Sequence, residues 1–382
     1  MYDLLVADSY NDAFACGVAA FIEVIVSVTA RTSVGVVASI LLEFRDMFYK
    51  PVNENDVSNR CAIVLAAGDG MRLRSLVAKL RGDTLPKQYV KFFDDHSMLQ
   101  SSFQRAQRLI PCERIFTVVD QSHFEFADVT QQLVDQPKMH VVIQPSNRDT
   151  AIGLLLPLAH LLERHPDATV AVFPSDHFIS DDDLFMAHVD AAFGIVEQDS
   201  EKIVLLGIPP RVAEPDYGYI VPADDPPSAF PCGAQIVSRF VEKPAADVAQ
   251  EIVSLGGLWN TLVMVFRAQN FLSYVRAINN RLYSYFWRIR DALGAHSLMR
   301  AMERIYERAQ PVNLSKVILE ELPRRCPSQL LVLPVRGVYW CDCGSEERIG
   351  EFLSHAANAA TSKPTLRRAL TSSRNHKAVR TV

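Results

Sequence analysis

The chain has 382 residues, of which 49% are hydrophobic and 22% charged, and a formal net charge of −5. That length suffices for a large core, in one big domain or two, and the balance is that of a soluble globular protein. No global basic field points to nucleic acid. The seven scattered cysteines make no disulfide framework, so a cytoplasmic setting is expected.

In chain order, residues 1–59 form an N-terminal extension without an assigned role. Its stretch 13–42 is strongly apolar but is interrupted by Glu23 and Arg31. No uninterrupted run reaches the roughly 18 residues that a membrane helix needs. Asp3, Asp8 and Asp12 stand where a signal peptide carries basic residues. The expectation is an extension that packs on the body or lacks order, with a peripheral membrane anchor as the alternative and no membrane span.

From residue 60 the pattern alternates. Short β-rich runs recur at CAIVLAA (61–67), RIFTVVD (114–120), MHVVIQ (139–144), ATVAVFP (168–174) and KIVLLGI (202–208). Helix-compatible stretches lie between them, among them 97–109 and 150–165. Continuous apolar strands alternating with amphipathic helices predict an α/β, doubly wound, mostly parallel sheet over about 60–210. Ligands on such sheets bind outside the carboxyl ends of the strands. The polar clusters AAGDGMR, QPSNRDT and PSDH fall there.

Beyond 210 the pattern changes to YGYIVP, QIVSRFVEKP, a helix-like AADVAQEIVSL and LWNTLVMVFRA. An α+β insertion carrying a substrate half-site is expected over 211–355. Helical runs follow over about 268–322, and QLLVLPVRGVYWCDCGS returns to strand character. Residues 356–382 hold Lys363, Arg367, Arg368, Arg374, Lys377 and Arg380 without an acidic residue, the pattern of a solvated basic tail.

Several motifs admit both a plain and a chemical reading. The glycine turn carrying Arg72, followed by Pro86-Lys87-Gln88, is suited to a phosphate, although most such turns are only turns. Asp176 in PSDH is placed either to hold a hard cation or to cap a helix. Alternation in WCDCG puts Cys341 and Cys343 on one face and Asp342 on the other. Zinc at that cysteine pair lacks its remaining ligands. Glu242 and Lys243 in FVEKP are either sugar and phosphate contacts or a surface ion pair. Gly218 in YGYI marks a bulge or a close approach of backbone to ligand.

Taken in order, LAAGDGMRL, PKQ, QPSNRDTA, PSDH, YGYI, FVEKP, WN and WCDCG resemble the sugar-1-phosphate nucleotidyltransferases, and most of all their mannose-1-phosphate guanylyltransferase branch. The resemblance spans about 60–350. It implies a Rossmann-like nucleotidyltransferase fold with a mixed sheet, and transfer of GMP from GTP to mannose 1-phosphate with release of pyrophosphate. It implies that Ala66, Ala67, Gly68, Gly70 and Arg72 cradle the triphosphate, with Lys87 beside the departing pyrophosphate. Gln144, Asn147, Thr150 and Ser175 would border the nucleotide. Asp176 and Asp342 would hold Mg²⁺, Gly218, Glu242 and Asn260 would contact the sugar, and Lys243 its phosphate. A homodimer is compatible with it. The sequence ends before the isomerase domain of bifunctional relatives, so transferase activity alone is expected.

Some positions depart from the family pattern. Met71 and Arg74-Ser75-Leu76 replace a Thr before the arginine and a Trp-Pro-Leu after Arg-Leu. Asp149 stands where Asn is frequent. WNTLVMVF replaces WNSGMF, so Leu262 takes a glycine position beside the sugar. Alternation puts it on the face of Asn260 and so in the pocket, where Leu262→Gly is expected to improve use of mannose 1-phosphate; a core-facing leucine with an unchanged pocket is the alternative. A dehydrogenase reading fails, since GDGMRL is not G-x-G-x-x-G. A uridylyl- or thymidylyltransferase and a catalytically silent binding protein stay open as alternatives.

Overall fold

The computed structural model describes residues 59–350, apart from 93–94, 135–139, 225–229 and 296–297. The expectations for 1–58 and for the basic tail fall outside the described residues.

Among the described residues nine strands form one mixed sheet. In chain order they are β1 (Arg60–Leu65), β2 (Ile115–Asp120), β3 (His140–Gln144), β4 (Thr169–Pro174), β6 (Ile203–Ile208), β7 (Gly218–Pro222), β8 (Gln235–Glu242), β9 (Leu258–Arg267) and β10 (Leu330–Pro334). Their spatial order is β3-β2-β1-β4-β9-β6-β10-β8-β7. The first four neighbours run parallel, as do β6 and β10, whereas β9 is antiparallel to β4 and β6. The short strands β5 (Phe178–Ile179) and β11 (Trp340–Cys341) pair separately.

The alternation of β1 shows how the faces are filled. Cys61 and Ile63 pack into one core with α4 (Asp149–Arg164), α7 (Ala268–Ile278), α8 (Asn280–Leu293) and α9 (Leu298–Arg308). Ala62 and Val64 pack into the other, with α2 (Met98–Ala106), α3 (Ala127–Val134), α5 (Asp182–Gln198) and α6 (Ala246–Ser254). A fully buried Leu or Phe is worth roughly 1.5–3 kcal/mol, so two such faces make the sheet the main source of stability. Among the described residues the remaining α-helices are α1 (Arg74–Arg81) and α10 (Leu322–Arg325).

The predicted separation of an early sheet from a later insertion takes a different form. The later half enters the same sheet, because β9 lies between β4 and β6. LWNTLVMVFR is apolar enough on both faces to sit in a sheet interior, and Met264 faces Val172 of β4 and Leu205 of β6. Among the described residues no helix is long and apolar enough to cross a membrane.

Candidate active site

Parallel register carries three loops to one rim. Leu65 pairs with Pro174, and Asp120 pairs with Gln144, so the segments after β1, β3 and β4 emerge together. Strand β9 runs the other way and brings Asn260 opposite Gly207 near the end of β6.

The glycine loop follows β1. Gly68 is exposed with open space where a side chain would stand, and Gly70 has φ 59, where a Cβ would meet the Lys87 backbone nitrogen at 3.0 Å. Glycine supplies both the left-handed backbone and the close approach. The buried Gln88 ties the loop down, its Nε2 donating to the carbonyls of Ala66 (2.9 Å) and Gly68 (2.8 Å). Ala66 is fully buried, Ala67 half-buried, and Ser175 buried with its N–H on the Leu65 carbonyl.

Lys87 lies under the loop. Its Nζ reaches Asp176 Oδ2 (2.9 Å) and donates to the carbonyls of Asp342 (2.8 Å) and Cys343 (3.1 Å). Burial pulls the Lys87 pKa down, but Asp176 and then Asp342 outweigh it and hold it above the ordinary lysine value. Burial likewise opposes ionisation of Asp176, and Lys87 followed by His177 keeps its carboxyl below the usual range. One ammonium thus touches one rim carboxylate and the backbone of the other.

Asp342 sits on the opposite side from Cys341 and Cys343, which are buried with Leu73, Met98 and Ile349. The expected facing holds, through a turn with Cys343 at φ 46 rather than through continued strand. The Asp342 carboxylate takes Tyr217 Oη (3.1 Å), the Gly344 N–H (2.9 Å) and Arg348 Nη1 (3.0 Å). Arg72 is half-exposed, with Nη1 on Asp216 (3.2 Å) and Nη2 3.6 Å from Asp342. Beneath, Tyr217 lies 4.9 Å from Trp259 and 5.3 Å from Trp340, and the Trp340 Nε1–H donates to His177 Nδ1.

The QPSNRDT segment bridges. Asn147 Nδ2 donates to Asp69 in the glycine loop, and Thr150 Oγ1 accepts from Leu314 N–H. Asp149 has φ 63, which Asn and Asp tolerate better than most residues. Gln144 is buried, its Nε2 donating to Asp120 (3.3 Å) while its Oε1 has no hydrogen-bond partner among the described residues.

In the segment expected to contact the sugar, Gly218 pairs with Glu242, and a Cβ at Gly218 would meet Glu242 Oε2 at 2.7 Å. The Glu242 N–H donates to Glu320 Oε1 (2.7 Å). Burial raises the Glu242 pKa, Lys243 opposes, and Glu320 and Asp149 add to the rise. Lys243 is exposed at φ 50, its N–H on the Tyr217 carbonyl (3.2 Å). Tyr217 therefore links both halves, its hydroxyl on Asp342 and its carbonyl on Lys243.

Leu262 requires a correction. It does lie on the expected face, because a two-residue irregularity between Leu205 and Gly207 leaves the alternation intact. There it packs half-buried against the first core, with φ 57 and its N–H on Asn260 Oδ1 (3.0 Å). Glycine suits this position through its backbone conformation, and not only through room for a ligand.

Sequence reasoning missed Gln88, Tyr217, Glu320 and Arg348. The first stands in the PKQ motif itself and the second in YGYI. Nothing local marks the other two.

Among the described residues no group of three or more His, Cys, Asp or Glu could hold a metal, so the cysteine pair has no further protein ligands there. Two rim carboxylates plus substrate phosphates are nonetheless a donor set that Mg²⁺ accepts, so Asp176 and Asp342 fit that ion chemically.

Comparison with known proteins bears on the family and the fold. The family model described as nucleotidyl transferase matches residues 61–358. A xanthan biosynthesis protein XanB of Xanthomonas campestris pv. campestris (strain B100) is 33% identical over 221 residues, 58% of this chain and 44% of that protein. A mannose-1-phosphate guanylyltransferase of Escherichia coli (strain K12) is 28% identical over 301 residues, 77% of this chain and 60% of its own length. The chain spans about half the length of the curated relatives it matches. A solved structure described as mannose-1-phosphate geranyltransferase from Thermus thermophilus superposes with TM-score 0.62 and 25% identity, covering 75% of this chain and 76% of that one.

Proposed function

The chain belongs to the nucleotidyl transferase family, and on that premise we propose that it transfers GMP from GTP to α-D-mannose 1-phosphate, forming GDP-mannose and pyrophosphate. The observation that carries this reading is the convergence of Lys87, Asp176 and Asp342 under a glycine loop, joined through Tyr217 to Lys243 and through the next residue, Gly218, to Glu242. The relatives named for mannose-1-phosphate guanylyltransferase support the choice of sugar and base.

A phosphate oxygen of mannose 1-phosphate attacks the α-phosphorus of GTP in line. The bond from that phosphorus to the α–β bridging oxygen breaks, and pyrophosphate leaves with the electron pair. No covalent enzyme intermediate is needed, so the protein acts by positioning and by neutralising charge. Asp176 and Asp342 would hold Mg²⁺, which when bound withdraws charge from the α-phosphate. Arg72 turns from Asp216 to the phosphates, while Lys87, kept protonated by Asp176 and Asp342, ties the Asp176 carboxylate to the Asp342 backbone. Glu242 and Asn260 accept and donate to sugar hydroxyls, and Lys243 holds the 1-phosphate. The thiols of Cys61, Cys326, Cys341 and Cys343 suit a cytoplasmic site for this reaction.

Pyrophosphate release, measured with each of four nucleoside triphosphates against mannose, glucose and N-acetylglucosamine 1-phosphates, tests the reading. The GTP–mannose pair is expected to be fastest. A faster uridylyl or thymidylyl reaction would reassign the base, and no release with any pair would leave a binding protein.

A further inference from the structure

We infer that Arg348 is a resident cation on Asp342 which a divalent ion must displace, so that Arg348 sets how tightly this site takes metal. The inference rests on the reading that Asp342 is a metal ligand. Its basis is how fully that carboxylate is already used. Oδ1 receives three donors, from Tyr217, Gly344 and Arg348, and Oδ2 receives Arg348 Nη1 at 3.1 Å with Arg72 at 3.6 Å. An ionised carboxylate offers about four lone-pair positions, so little is left for an ion. Asp176 differs: Lys87 occupies Oδ2, and Oδ1 lies 3.7 Å from His177.

Arg348 is built into this place. It is 9% exposed, with its guanidinium 4.4 Å over the Tyr217 ring. Gly344 makes room for the convergence, since a Cβ there would meet Asp342 Oδ2 at 2.5 Å and nitrogens of Arg348 and Arg72 at 2.8 Å. The guanidinium also has somewhere to go. Its Nη2 already bonds Glu214 (3.2 Å) and lies 3.5 Å from Asp216. Asp216 is the same carboxylate that holds Arg72. When a triphosphate draws Arg72 away, Asp216 is released to take Arg348, and Asp342 opens. Nucleotide arrival and metal arrival are thereby coupled, with nucleotide favouring metal. A role of Arg348 in merely orienting Asp342 predicts the opposite sign, because its loss would then weaken metal binding.

The test titrates Mn²⁺ alone into the full chain and reads the free ion by electron paramagnetic resonance, a measurement independent of turnover. Arg348→Gln keeps hydrogen bonding but removes the charge, and is expected to bind Mn²⁺ at least about tenfold more tightly than the parent. Arg348→Lys, which keeps a cation, is expected to stay within about threefold of it. Equal or weaker binding by Arg348→Gln overturns the inference while leaving the metal reading intact. Asp342→Asn is expected to bind Mn²⁺ more weakly than the parent; if it binds Mn²⁺ like the parent, or if no variant binds, the metal reading fails and takes this inference with it. Should Arg348→Gln not fold by circular dichroism, Asp216→Asn decides instead. Removing the outer partner throws both arginines onto Asp342, and unchanged or tighter Mn²⁺ binding would then overturn the inference.

Discussion

The two halves of the site are held in different ways. Around the nucleotide loop, the functional side chains are locked in opposite-charge pairs: Lys87 with Asp176, Arg72 with Asp216, Arg348 with Asp342. Around the proposed sugar site, the unusual feature is backbone. Lys243 and Leu262 both have positive φ without being glycine, a feature that Asp149 and Cys343 share on the nucleotide side. One half is prepared by charges that a charged ligand can exchange. The other is prepared by conformations that persist only because the surroundings enforce them. A polyanion can be recognised by exchange of ion pairs, whereas a neutral sugar ring requires a fixed shape.

The largest expected effect breaks the charged half. Asp176→Asn and Asp342→Asn each remove one charge near the reacting phosphate, which costs roughly 3 kcal/mol, or about a hundredfold in kcat. Single-turnover rates on the folded variants measure it. Near-normal rates with Asn at both positions would remove both residues from the chemistry.

The second prediction separates the halves. Lys87→Ala, which also strips Asp176 of its buried partner, should lower kcat/KM for GTP by about tenfold or more and reduce thermal stability. Lys243→Ala, at an exposed position, should chiefly raise KM for mannose 1-phosphate and leave the melting temperature nearly unchanged. Indistinguishable kinetics for the two would dissolve the division drawn above.

The smallest effect probes the conformational half. Leu262→Gly relieves a left-handed leucine, worth about 1–2 kcal/mol, but adds chain entropy and loses half-buried packing. The melting curve should move by less than about 1 kcal/mol equivalent, with kcat/KM for mannose 1-phosphate within about twofold of the parent. Leu262→Val should destabilise, because a β-branched residue tolerates positive φ poorly. A tenfold kinetic gain for the glycine variant would put the leucine side chain in the pocket and restore the expectation from strand alternation.

What was legible in the sequence followed the range of the forces involved. The early strands were read to within a residue or two, as with CAIVLAA against Arg60–Leu65, because apolar runs and period-two alternation are local. The loops at the rim followed from parallel connection alone. The place of β9 was not legible, since pairing with β4 and β6 joins residues far apart in the chain. Arg348 was hidden for a similar reason. In sequence it is one cation in GSEERIG, and only the turn at Cys343 and the return of the 214–217 loop set it between Asp342 and Glu214. Leu262 was noticed from the family pattern, yet its backbone angle carries no signal in the residue type.

The central position of β9 bears on how this molecule can change over time. Asn260, the proposed sugar contact, stands on a strand hydrogen-bonded to β4, whose end leads into Asp176. The recognition of one substrate and the activation of the other are thus inherited together, as parts of a single plane. A swap of sugar preference by exchanging a whole segment from a relative would have to cut through the middle of that plane and re-form two ladders at once. On the proposed reaction, change of substrate is therefore expected at side chains and turns along the rim, with one sheet carrying the residues that would meet both substrates.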